Sequence, residues 1–365
     1  MHVPFCARRC SYCDFSIAVR RDVPVADYID GVRRELELHA RSADAMTSLD
    51  TVYLGGGTPS RLGGAGVAEL LRTIGDHARW DEGAEVTIEA NPDDVSAAAA
   101  RAWRDAGVNR VSLGAQSFDE GVLGWMRRTH GAEQIARAVA HLRDAGIREI
   151  SIDLIFALPE SVPRSWERDL ESALALGPDH LSVYGLTFEP HTPLGRWRER
   201  GDVAESPDTS YEREFLLADS ALRAAGYEHY EVSNYSLPGA RARHNSAYWR
   251  HVPYAALGPA AHRFDGARRS WNVAPYAEWL RRVRAGNDPT EGGETLTADE
   301  LESERKYIGL RTTDGLVVSG DLAARTSRWR DAGWAAIVAG RLRLTPLGWL
   351  RLDALAADLT LAGSR

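Results

Sequence analysis

All three cysteines of this 365-residue chain lie in one short run, Cys6-Ala-Arg-Arg-Cys10-Ser-Tyr-Cys13. None is left for a disulfide framework or for a fourth thiolate. A CxxxCxxC triplet suits an iron–sulfur cluster with three protein ligands. A cubane has four irons, so one stays open to a ligand that is not protein. Zinc is the alternative, with His2 as fourth ligand, although zinc sites usually combine CxxC pairs far apart in sequence. Inert buried thiols are a second alternative. A structural disulfide is not expected, because nothing resembles a signal peptide and the segment opens on polar, Arg-rich residues.

The length allows one large core and a smaller second one. Hydrophobic residues make up 44% and charged residues 26%, which places the chain among soluble globular proteins. No apolar run is long enough to span a bilayer. The net charge of −8, from 44 basic and 52 acidic residues, argues against a nucleic-acid partner, since phosphate contacts need a basic face. Unpaired, clustered thiols fit a reducing, cytoplasmic setting.

Strand and helix signals alternate after the cysteines. Thr51–Leu54, Glu85–Glu89, Arg110–Leu113, Glu149–Phe156 and His180–Leu186 read as strands, with Tyr230–Ser233 as a further one. Helical stretches near Val67–His77, Ser96–Ala106, Ile135–Ala145, Trp166–Ala175 and Tyr211–Ala225 follow them. This rhythm predicts βαβ units with a parallel sheet. The expected fold is α/β, a partial or full TIM-like (β/α) barrel, with a doubly wound sheet as runner-up. Trp271–Arg284 reads as helical, Gly286–Gly293 as part of a linker, and Ala298–Leu310 as a helix. Arg341–Gly348 reads as a hairpin strand and turn before a last helix. The expected organisation is a barrel over residues 1–284, a linker over 285–297 and a small, mainly helical, winged-helix-like domain over 298–365.

Polar residues collect at the carboxyl ends of the strands: Gly55–Thr58, Glu89 with Asn91, Gln116, and Asp153 inside its strand. Such positions face the catalytic mouth of a β/α barrel. The Gly55-Gly56-Gly57-Thr58 turn lets backbone approach a ligand closely and exposes N–H and C=O groups. It is not a P-loop, because no Gly-Lys-Ser/Thr follows. A second constellation is His244-Asn245-Ser-Ala-Tyr248-Trp249. Histidine is a common axial ligand of haem iron, and Tyr and Trp offer flat apolar faces. A satisfied histidine beside core aromatics is the alternative reading.

Together these motifs resemble the radical S-adenosylmethionine superfamily, and nearly the whole chain resembles its branch of oxygen-independent coproporphyrinogen III oxidase-like proteins. The residues carrying the resemblance are His2-Val-Pro-Phe-Cys6, Cys10-Ser-Tyr-Cys13-Asp-Phe15, Gly55–Pro59, Glu89-Ala-Asn-Pro92, Asn109–Phe118, Asp153-Leu-Ile and His244–Trp249. The last motif resembles that of HemW-type haem chaperones.

The resemblance implies a [4Fe-4S] cluster on Cys6, Cys10 and Cys13, with S-adenosylmethionine chelating the fourth iron. Electron transfer into its sulfonium would release methionine and a 5′-deoxyadenosyl radical. By the same likeness, Tyr12, Gly56, Gly57, Thr58, Glu89, Gln116, Arg128 and Asp153 match S-adenosylmethionine-contacting positions. His244, Asn245, Tyr248 and Trp249 match a haem-binding motif. The implied function is haem binding and delivery to a client protein. The implied partners are a haem-accepting client, an electron donor for the cluster, and a membrane touched only peripherally through a client. The decarboxylating oxidase is the alternative, but it carries a further cysteine two positions past the third, where Phe15 stands here. It also has a long segment ahead of its cluster. Family members usually have an apolar strand before the first cysteine; here Met1 directly precedes His2. The expectation is therefore a missing first barrel strand, a start placed downstream of the natural one, and a bare sheet edge beside the cluster loop.

Overall fold

The structure, a computed structural model, describes residues 1–40 and 48–361. Eight strands form its main sheet: β1 (His2–Val3), β2 (Ser48–Gly56), β3 (Arg79–Ala90), β4 (Arg110–Gln116), β5 (Glu149–Phe156), β6 (His180–Gly185), β7 (Glu228–Glu231) and β8 (Asn234–Ser236). Their order is β1-β2-β3-β4-β5-β6-β8-β7. The pairings from β1 through β6 are parallel, and β8 runs antiparallel to both β6 and β7. The architecture is thus the expected parallel α/β one, ending in an antiparallel hairpin.

Side chains alternate across this sheet, as the pleat requires. Val52, Leu54, Val86, Ile88, Val111, Leu113, Ile152, Leu181 and Val183 point into the main core. They meet the apolar stripes of the connecting helices. Val67, Leu70, Leu71 and Ile74 come from the helix Gly63–Gly75, and Ile135, Ala138, Val139 and Leu142 from the helix Ala132–Asp144. These sets follow the i, i+3, i+4, i+7 spacing of one helix face. The opposite set (Tyr53, Thr87, Glu89, Arg110, Ser112, Ser151, Asp153, His180, Ser182, Tyr184) lines a single cavity. Residues from five strands can share one cavity only if the sheet curls around it.

Where a first strand was expected to be missing, the two residues His2–Val3 pair with Gly55–Gly56. The edge is also covered. The His2 N–H donates to the Leu257 carbonyl at 2.9 Å. Its own carbonyl accepts from the Tyr28 hydroxyl at 2.8 Å. Glu35, fully buried on the helix Val25–His39, supports this cover. Its carboxylate accepts from the Gly258 N–H at 2.8 Å, Asn272 Nδ2 at 2.5 Å and Trp279 Nε1 at 3.0 Å.

Two other expectations change. Trp271 lies in the strand Arg268–Asn272, and the helix begins only at Tyr276, after Pro275. The stretch read as a linker contains the strand Thr290–Thr295, which pairs with Arg268–Asn272. A Cβ on Gly292 would sit 2.7 Å from the Trp271 indole. The glycines that signal a loop in sequence here let an aromatic ring lie flat on a neighbouring strand.

The C-terminal part is mainly helical. Ala298–Leu310 opens with a capping box of Thr297 and Glu300, and a three-stranded antiparallel sheet of Leu316–Val317, Arg341–Leu344 and Ala335–Val338 follows. It covers the outer edge of β7: Val232 N–H donates to the Arg311 carbonyl and Thr313 N–H to the Tyr230 carbonyl. No helix among the described residues is long and apolar enough to cross a membrane.

Replacing Glu35 by Ala strands three buried N–H donors. We expect a loss of about 3 kcal/mol in urea denaturation. Glu35→Gln, which keeps one carbonyl acceptor, should lose less. An unchanged midpoint in Glu35→Ala would show that the carboxylate does not hold this corner.

Candidate cluster and cofactor site

The cysteine loop is closed at its neck. Phe5–Cys6 pairs in parallel with Ala18–Val19, with Ala18 N–H to the Pro4 carbonyl at 2.7 Å and Arg20 N–H to the Cys6 carbonyl at 3.0 Å. Beneath the loop lies a second, small apolar group of Val122, Met126, Ile155 and Leu158, against which Tyr12, Trp125 and Leu186 pack. Backbone bonds fasten it there, from Ser11 N–H to the Met126 carbonyl and from Leu194 N–H to the Ser11 carbonyl.

Cys6 is buried, and Cys10 and Cys13 are half-buried. Thr58 Oγ1 lies 3.2 Å from Cys6 Sγ, and Arg128 Nη1 lies 3.5 Å from Cys10 Sγ. Burial pushes the Cys6 thiol up, and Cys13 up to about 11. Such thiols ionise when a metal supplies the positive charge that burial withholds. All three line one cavity. Among the described residues, no three His, Cys, Asp or Glu side chains converge on a single-ion site. Three thiols on one cavity wall are the donor set that a cluster with three protein ligands requires.

That cavity, about 790 Å³, is also lined by Tyr12, Gly56, Gly57, Thr58, Glu89, Gln116, Arg128 and Asp153. Six separate segments, loops and strands, bring them together. Glu89, at the end of β3, accepts from the Tyr53 hydroxyl at 2.6 Å and the Gly56 N–H at 3.1 Å. Asp153 accepts from the Ser112 hydroxyl at 3.0 Å. Arg128 spans to Asn91 Oδ1 at 2.6 Å and the Gly114 carbonyl at 2.7 Å. Gln116 adopts φ 72°, the left-handed region uncommon for residues other than glycine, just past a register shift in β4.

The Gly55–Gly57 turn works differently from the expectation of free backbone donors. Its N–H groups are used within the protein: Gly55 bonds to the Met1 carbonyl, Gly56 to Glu89 and Gly57 to the Val3 carbonyl. A Cβ on Gly56, at φ 110°, would lie 2.1 Å from the His2 ring, and one on Gly57 would lie 2.7 Å from the Pro4 backbone. The glycines therefore form a seam against the His2–Pro4 segment that leads to Cys6.

The second constellation is split. Asn245 lines the cavity, whereas His244, Tyr248 and Trp249 do not. His244 Nδ1 is 2.8 Å from Thr51 Oγ1, its Nε2 is 2.8 Å from the Tyr248 hydroxyl, and its ring stacks on Tyr53 at 4.9 Å. Burial pushes its imidazole down to about 3, so the ring is neutral. The N–H groups of Arg243 and His244 donate to the Glu85 carboxylate, which closes the N-terminus of the helix Arg243–Trp249. Trp249 carries the Arg311 guanidinium on its face at 4.9 Å. Iron ligation by His244 therefore requires it to release a partner it now holds.

One part of the cavity wall was not anticipated. Arg110, Ser112, Ser151, His180, Ser182 and Tyr184 all line it. Their signal was strict alternation, as in Arg110-Val-Ser-Leu and Ser151-Ile-Asp-Leu. Parallel strands covered on both faces are usually continuously apolar, so polar residues at every second place mark a polar interior.

A family model described as "Radical SAM superfamily" matches residues 1–173. Among solved structures, "Coproporphyrinogen III oxidase (HemN) from Escherichia coli is a Radical SAM enzyme" superposes with a TM-score of 0.81, covering 99% of this chain and 89% of that one at 22% identity. At that identity the likeness speaks for the fold. "Heme chaperone HemW" of Mycobacterium tuberculosis (strain H37Rv) is 37% identical, over 98% of this chain and 93% of its own length. The protein of the same description from Escherichia coli (strain K12) is 37% identical, over 80% of this chain and 79% of its own length. The chain belongs to the radical SAM superfamily and, within it, to the HemW family.

Burial, reinforced by the charge of Asp153, pushes the Glu89 carboxyl from 4.5 up to about 7. A carboxyl raised on folding contributes its stability fully below its unfolded value, and that contribution is lost as pH rises through the folded value. The metal-free protein should therefore lose stability between pH 4.5 and about 7. Glu89→Gln should flatten this slope when Tm is followed against pH. Glu35 and Glu231, raised in the same sense, leave a residual slope.

Proposed function

We propose that this protein binds haem and passes it to a client protein, and that it carries a [4Fe-4S] cluster and S-adenosylmethionine in the cavity beneath its cysteine loop. The observation behind the reading is the convergence of three thiols, the carboxylates of Glu89 and Asp153 and the guanidinium of Arg128 on a single cavity. That convergence occurs in a chain 37% identical, over nearly all of its length, to a protein named as a haem chaperone.

Cys6, Cys10 and Cys13 would hold the cluster. Tyr12, Gly56, Gly57, Thr58, Glu89, Gln116, Arg128 and Asp153 would surround S-adenosylmethionine. When bound, the pair supplies one-electron chemistry. The chain's own residues prepare the place for it. Arg128, fixed by Asn91 and the Gly114 carbonyl, sets a positive charge beside Cys10. Glu89 and Asp153 hold hydrogen-bond acceptors for amino or hydroxyl groups, each oriented by a protein hydroxyl. The seam at Gly56–Gly57 leaves the cysteine loop little room to shift.

The oxidase reading is less well supported. The likeness to that enzyme carries the fold alone, and Phe15 stands where the enzyme has its additional cysteine. A client, an electron donor and peripheral membrane contact through the client complete the proposal. A reducing, cytoplasmic setting fits three free thiols.

Anaerobic reconstitution with iron and sulfide, followed by haem titration, tests both halves in one sample. Four irons per chain and a Soret band on haem addition are expected. Cys10→Ala should lose the cluster absorbance and keep the fold. Protein that takes up no haem, or holds no four-iron centre, refutes the proposal. Anaerobic conversion of coproporphyrinogen III to protoporphyrinogen IX would establish the oxidase instead.

A further inference from the structure

Three large aromatic side chains remain open to solvent around the cluster cavity. Phe15 is 59% exposed, Tyr184 43% and Tyr211 37%, and all three line that cavity together with the cysteines. Grouped exposed apolar surface on a soluble protein commonly marks a binding place. One of these rings is held firmly. Tyr211 packs on Phe156 at 4.8 Å and lies over Gly185, where a Cβ would come within 2.5 Å of its ring. Tyr184 lines the cavity from near the end of β6, two residues after Ser182. Phe15 follows Cys13 on the closed loop, and its carbonyl accepts from Arg9 Nη1 at 3.4 Å.

Cations stand on the same rim. Arg8 and Arg127 line the cavity, and among the described residues neither has a carboxylate partner. Arg127 takes φ 59° and stacks its guanidinium on Trp197 at 5.3 Å, which fixes its place. Asp14 and Glu189 line the same cavity, so carboxylates of a ligand there are drawn to the arginines and repelled by these two acids. A planar aromatic macrocycle with carboxylates on one edge meets both demands: flat aromatic faces for its plane and guanidinium groups for its anionic edge.

We propose that haem docks across the mouth of the cluster cavity, against Phe15, Tyr184 and Tyr211, with its carboxylates on Arg8 and Arg127. This rests on the haem-delivery reading above and names the surface that performs it. The His244 motif is then a support of the barrel wall: its histidine stacks on Tyr53, the ring whose hydroxyl orients Glu89. Cargo placed at the mouth sits beside the cluster loop and remains reachable by a client from outside.

Full-length reconstituted protein would be titrated with haem, zinc protoporphyrin and the dimethyl ester of haem. Phe15→Ala should weaken haem and zinc protoporphyrin about tenfold, at the upper end of one aromatic contact. Its exposed ring leaves the unfolding midpoint unchanged, and Phe15→Trp should restore affinity. Arg8→Gln with Arg127→Gln should weaken haem while leaving the dimethyl ester unaffected. Wild-type affinity in Phe15→Ala, with loss of haem in a folded His244→Ala variant, would overturn the mouth as the docking surface and keep the haem-delivery reading. Failure of the unmodified protein to bind any of the three porphyrins would overturn that reading itself.

Discussion

The close seam between His2–Pro4 and Gly55–Gly57 governs where everything else stands. Two strands meet there with no space for a Cβ, so the backbone leading to Cys6 is pressed against the end of β2. Thr58 then falls beside the Cys6 sulfur, and the Gly56 N–H reaches the Glu89 carboxylate. One contact thereby sets the cysteine loop, the Thr58 hydroxyl and the Glu89 carboxylate in fixed relation. Glu35 stabilises the same seam from behind, through Gly258 and the segment that covers the edge of β1.

A second constraint is the polar interior. Burying Asp153, Glu89, Arg110 and His180 in one curled sheet costs desolvation, which protein hydrogen bonds offset. Ser112 serves Asp153, Tyr53 serves Glu89, and His180 sits between the hydroxyls of Ser151 and Tyr230. Burial shifts both acids toward the protonated form and the imidazole toward neutrality. A bound cationic ligand would reverse the pull on the acids, so the cavity is electrostatically suited to a sulfonium or ammonium group.

Family likeness and local geometry pull apart at His244. The motif matches one expected to bind haem, yet both ring nitrogens are engaged and the ring is stacked. Its surroundings are those of the satisfied histidine weighed as the alternative. Asn245, one residue on, does face the cavity. A seven-residue helix can place only some of its side chains on a wall, and its capped N-terminus at Glu85 decides which.

The parallel α/β core, the cysteine loop and the polar strand ends were legible from local chemistry. Apolar periodicity and the CxxxCxxC spacing are properties of neighbouring residues. The helices Trp166–Ala175 and Ala298–Leu310 and the strand Glu149–Phe156 fall at their expected places for the same reason. What only the tertiary structure decided involves partners distant in the chain. The strand Thr290–Thr295 exists because Arg268–Asn272 offers it a ladder and Trp271 lies on Gly292. The edge of β1 is covered because residue 257 returns to it. Phe15, Tyr184 and Tyr211 line one cavity because a loop, a strand and a helix far apart in the chain meet there. Sequence spacing encodes which side chains share a face, whereas closure of a curved sheet decides which faces meet.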